Sequence, residues 1–168
     1  MTELTESIKN EDEAKKQQDW IKYPIEKAEI IRKETKKTGE DTDTILLGHI
    51  ITLILDDDAN AFNMVKLSGY SPHYMEYSRT VMLGRLSLEI EFKETPEELR
   101  KQLELTRNKL QEHDWIGEKG FNEVFGIWKE TVRDWTQNFR DTNPEINEAY
   151  EKFQAFNTSL SKAFPKRV

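Results

Sequence analysis

Large apolar side chains recur at Phe121, Phe125, Trp128, Val132, Trp135 and Phe139, with gaps alternating between four and three, while most positions between them are polar. That spacing predicts one helix with all six side chains along a single face, a seam that must be buried against another surface. A second pattern follows at once. Asn143-Pro144 has the form of a helix start, and Ile146, Tyr150, Phe153, Leu160 and Phe164 recur at helical spacing before Pro165 stops the run. The two segments are expected to fold back across the short Arg140 to Asn143 turn as an antiparallel helix hairpin.

The same reading upstream predicts further helices. Pro24, placed as a first-turn proline, opens a short stripe of Ile25, Ala28 and Ile31 that ends at Gly39. Asp41 or Thr42 then caps a longer helix whose Leu46, Leu47, Ile50, Ile51, Ile54 and Leu55 cover more than half its circumference, which marks it as the most buried element. Ser71-Pro72 opens another helix carrying Tyr74, Tyr77, Val81, Met82 and Leu86. In Thr95-Pro96-Glu97-Glu98, Thr95 reads as an N-cap and Glu98 as its capping-box partner, ahead of Leu99, Leu103 and Leu110. One segment reads two ways. Leu86, Leu88, Ile90 and Phe92 alternate with Ser87, Glu89 and Glu91, the period of a half-buried strand near 86–92, but no second segment alternates well enough to pair with it. The expectation is an all-α helical bundle of about five helices, with α+β as the alternative.

Composition narrows the picture. Leu, Ile, Val and Phe make up about a quarter of the 168 residues, above the roughly 20% below which chains tend to stay unfolded. Charged residues are 34%, so the core is thin for the surface it must support, which favours long helices or a core completed by a partner. Residues 1–18 hold few apolar positions and read as a flexible acidic arm ahead of a single helical domain over 19–168. A net charge of −7 argues against nucleic-acid binding, which relies on Lys and Arg neutralising phosphates. The absence of cysteine removes disulfides and thiolate metal sites. A polar, acidic start and the lack of a long apolar run predict no membrane span and a cytoplasmic location.

Few residues suggest chemistry. His49 lies in the buried helix seven positions from Asp56, and reads as a hydrogen-bonded core histidine, since no set of metal ligands surrounds it at recognisable spacing. The run Asp56-Asp57-Asp58-Ala59-Asn60 puts three acids into an apolar segment, where they must face water, a cation or a cavity. With Glu26-x-x-Glu29 upstream, it resembles the two-part metal site of all-α nucleotide pyrophosphohydrolases. The resemblance implies that Glu26, Glu29, Asp57 and Asn60 hold Mg and a triphosphate chain, because oxygen ligands suit a hard cation. The pattern departs from that family twice: Ile25 stands where a glutamate is usual, and Asp57-x-x-Asn60 replaces Glu-x-x-Asp.

The leading expectation is therefore a non-catalytic protein-interaction or scaffolding module without a cofactor, a homodimer or the accessory subunit of a larger assembly. Its candidate contact face is Phe121, Phe125, Trp128, Trp135 and Phe139, because tryptophan and phenylalanine concentrate in interface hot spots. The alternative is the magnesium-dependent hydrolase.

Overall fold

The computed structural model describes the backbone of residues 2–163 and the side chains of residues 20–162. Six helices account for nearly all of it, and no strand is found among the described residues. Helix α1 is Thr2–Thr38; α2 covers 42–67; α3 is Pro72–Glu91; α4 is Glu97–Glu112; α5 covers 118–142; and α6 is Pro144–Ala163. Two of them contain a π-turn, Leu53–Asp57 in α2 and Lys129–Arg133 in α5, and the two π-turns touch. The all-α expectation holds, and residues 86–91 belong to α3, with Glu89 buried and Leu88 half-buried.

Several ends follow the local chemistry that the sequence suggests. Asp41 caps α2 by accepting from the Asp43 amide at 3.2 Å and the Thr44 hydroxyl at 2.8 Å. Asn143 does the same for α6 through the Glu145 amide at 3.1 Å. Gly39, at φ +78°, closes α1 as its amide bonds Thr35 O at 2.9 Å, a left-handed stop that glycine adopts at little cost. One expectation needs correction here. Pro24 does not open a helix; it lies inside α1, which starts at Thr2. The segment read as a separate arm is the first half of that helix along the backbone, and its side chains, like residues 164–168 with Phe164 and Pro165, lie outside the described residues.

Thr95 is not an N-cap either. It is buried, and its hydroxyl donates back to Glu89 O at 2.5 Å, while Arg100 Nε and Nη2 bond Ile90 O and Phe92 O at 2.9 Å each. The carbonyls left open at the end of α3 take the Thr95 hydroxyl and the Arg100 guanidinium as donors, so Thr95 serves the end of α3 and not the start of α4.

The hairpin is only partial. Helix α6 meets α5 near the turn, where Arg140 Nε bonds Asn147 Oδ1 at 3.0 Å and the guanidinium lies 4.0 Å from the Tyr150 ring centroid. Beyond that, α6 packs chiefly against the first part of α2. The cause is Gly48: a Cβ there would stand 2.1 Å from Ala149 O, so only glycine lets the two helices approach this closely. Phe153 and Phe156 consequently join Ala28, Ile31, Ile45 and Leu46 in a small core of their own.

Candidate functional site

The aromatic seam is covered by this chain. Phe121, Trp128 and Val132 are fully buried, while Phe125, Trp135 and Phe139 are half-buried. The cover is Phe62 of α2, whose ring centroid lies 4.9 Å from Trp128, 5.2 Å from Phe125, 5.5 Å from Phe121 and 6.0 Å from Trp115. A π-turn holds one residue more than an α-turn, so Lys129–Arg133 changes the phase of the stripe. Thr136 takes the buried place after Val132, and Trp135 and Phe139 swing to the side, stacked at 5.0 Å. The carbonyl of Thr131 in that turn receives the Gln102 side-chain amide, and its hydroxyl accepts from Thr106 at 2.9 Å. Of the five proposed contact residues, two belong wholly to the fold.

One turn before Phe62 the same helix carries a different kind of burial. Asp58, Arg85 and Glu89 are each at most 1% exposed. Arg85 and Glu89 are one turn apart on α3, among Val81, Met82 and Leu86, and Asp58 lies a heptad after buried Ile51 on α2. Arg85 Nη1 is 3.6 Å from Asp58 Oδ1. No N–H or hydroxyl group among the described residues donates to either carboxyl. Burial raises the Asp58 pKa to about 6, against the opposing pull of Glu89 and Arg85, and raises Glu89 well above its usual range, helped by the Asp58 charge beside it. Both shifts run the same way, and the larger one leaves Glu89 holding its proton to higher pH than Asp58, whose ionised carboxylate pairs with Arg85. The cluster is then electrically neutral, which is the condition for keeping three ionisable groups dry.

Arg85 also holds α1 in place. Pro24 lacks an N–H, so the carbonyl of Trp20, four residues earlier, loses its helical partner. Arg85 Nε supplies the missing donor at 2.7 Å. Its guanidinium carbon lies 5.3 Å from the Trp20 ring centroid and 6.0 Å from that of Tyr23. His49, from α2, faces the Pro24 carbonyl with Nε2 at 3.3 Å, and burial lowers its pKa to about 4. It is therefore neutral at pH 7, with the Nε2 proton directed at Pro24 O. The expected core histidine is found, and the break in α1 is satisfied from two helices. Ile21 packs beside Gly84, where a Cβ would come within 3.1 Å of its Cδ1, so α1 crosses α3 at its smallest residue.

The four residues of the magnesium reading are not brought together. Glu26 and Glu29 are exposed on α1, roughly opposite its buried row Pro24, Ala28, Ile31 and Thr35 at helical spacing, and Asn60 is exposed on α2. No group of three or more metal-ligating side chains converges among the described residues. Asp57 is half-buried, its pKa raised by burial, and it lines a cleft with Trp20, Tyr23 and Arg85.

The sequence places Asp58 in the acidic run without singling it out, and it does not point to Arg85 or Glu89 as site residues. A signal existed: Arg85 and Glu89 interrupt an apolar helical row with opposite charges at i, i+4. No known family model matches this chain, and no curated protein or solved structure is significantly similar to it.

Proposed function

We propose that this protein is a non-catalytic interaction module that works by self-association through α1. The observation that carries this reading is a set of three large apolar side chains left open beside the buried row of that helix. Only the row Pro24, Ala28, Ile31 and Thr35 is buried among its described residues, whereas Tyr23, Ile25 and Ile30 stay 41–44% exposed. At about 100° per residue, Tyr23 and Ile30 flank the buried row on one side and Ile25 on the other, with Lys27, Arg32 and Glu34 between. Helix α1 already packs on α2 and α3, and apolar side chains beyond those contacts suit a further helical surface.

The proposed contact is thus moved from the aromatic seam, where Phe62 packs on Phe121, Phe125 and Trp128, to the outer flanks of α1. Phe125, Trp135 and Phe139 keep a secondary place as half-covered aromatics. Mass measured in solution across a concentration series tests the reading. A dimer that dissociates on dilution, and that Ile25→Glu with Ile30→Glu converts to monomer, supports it. A strict monomer at every concentration removes self-association and leaves only docking on a different protein.

A further inference from the structure

Charge is divided by position along α1. In sequence, residues 3–19 carry six acids and three bases, whereas residues 20–38 carry six bases and three acids. The helix is therefore neutral as a whole, acidic in its first half and basic in its second. The chain's entire net charge of −7 lies in the residues after it. Two copies meeting through those later elements bring like charge together on average, and two copies meeting along α1 do not. Lys22, Lys33 and Lys36 are exposed on the second half, on the same stretch as the open Tyr23, Ile25 and Ile30. The large apolar residues of the first half are Leu4 and Ile8, close to its start.

We infer that two copies of this chain pair antiparallel along α1, each acidic first half against the basic second half of the other, an inference that rests on the self-association proposed above. Parallel pairing would set acidic half on acidic half and basic on basic, which charge complementarity disfavours. The antiparallel arrangement removes that conflict and also opposes the two helix dipoles. It is the form a two-fold axis across the helix generates, in which residue i meets residue j and residue j meets residue i. A centre near residue 17 brings Leu4 level with Ile30, and Ile8 level with Glu26 beside Ile25. The same register sets Asp12 level with Lys22, so one alignment matches apolar residues and opposite charges together.

The chain has no cysteine, so a spin label can be placed at one chosen position of the full chain. Lys22→Cys and Lys33→Cys, both at exposed sites, are each labelled, and the distance between the two labels of a dimer is read by pulsed electron paramagnetic resonance. At a rise of about 1.5 Å per residue, antiparallel pairing separates the labels along the axis by about 15 Å at position 22 and about 48 Å at position 33. Parallel pairing sets the labels side by side at both positions. Raising the ionic strength from about 0.05 M to about 0.5 M should also weaken the dimer about tenfold, because the matched charges are screened. Equal distances at the two positions in a dimer, or an affinity unchanged by salt, would overturn the antiparallel pairing and leave self-association standing. A monomer at every concentration would remove self-association and this pairing with it.

Discussion

Phe62 and Asp58 are one turn apart on α2 and equally hidden from water, yet they anchor opposite kinds of interior. Around Phe62, rings from α5 and the loop before it meet at centroid distances of 4.9–6.0 Å, with no carboxyl among them. Around Asp58, two carboxyls and a guanidinium are dry, both carboxyls hold protons above their ordinary range, and Arg85 reaches across to a proline break in α1. The first region is stabilised by area removed from water and is indifferent to pH. The second is held only while its charges cancel, so pH, a ligand or a neighbouring substitution acts on it directly.

The largest effects separate the two regions most sharply. Arg85→Leu should cost about 3–5 kcal/mol at pH 7, because it strands the Asp58 carboxylate and the Trp20 carbonyl together. At pH 5 the loss should shrink, since Asp58, with its pKa raised to about 6, is then mostly neutral. Trp128→Ala should cost a similar 3–5 kcal/mol through the cavity it leaves, but equally at both pH values. Urea unfolding of both variants at the two pH values checks this, and a pH-independent loss in Arg85→Leu would erase the contrast.

The next effect concerns His49. A histidine whose pKa falls from 6.5 to about 4 on folding contributes stability that is full above pH 6.5 and lost as pH drops toward 4. His49→Gln can still donate to Pro24 O, so relative to it the wild type should lose about 3 kcal/mol between pH 6.5 and 4. Glu89 has the opposite sign. Its raised pKa gives stability that is full below its ordinary value of 4.5 and declines as pH rises toward the folded value. Relative to Glu89→Gln, the wild type should therefore lose stability as pH rises from 4.5 toward the folded value. Unfolding free energies of the three proteins across this range measure both slopes.

How far each region could be read from sequence follows from the same contrast. Apolar spacing marks α5 as a buried helix, and its phase slips after Val132, because the π-turn at Lys129–Arg133, with no obvious local signature, adds a residue. The polar cluster depends on which helices cross. Arg85 and Glu89 look like an ordinary surface pair until α2 and α1 close over them, and Pro24 looks like a helix start until the carbonyl it frees is seen to have a donor 65 residues away. The acidic run was noticed, but solvent exposure of Glu26, Glu29 and Asn60 leaves Asp57 without its expected companions, and the buried member is Asp58. The caps at Asp41 and Asn143 were legible because they are purely local.

The smallest effect on stability lies on the surface. Ile30→Glu should change the unfolding free energy by no more than about 0.5 kcal/mol while weakening self-association, which sedimentation of the variant beside the wild type would show. A large loss of stability would instead place Ile30 in the core of the monomer.

The central claim, that the Asp58–Glu89–Arg85 cluster keeps a proton in the interior, is tested most directly by following the side-chain carboxyl carbons of Asp58 and Glu89 by NMR from pH 3 to pH 9. The account predicts that Glu89 titrates well above the ordinary carboxylate range and that Asp58 titrates near 6. Both groups ionising together in the ordinary carboxylate range, near pH 4, would contradict it.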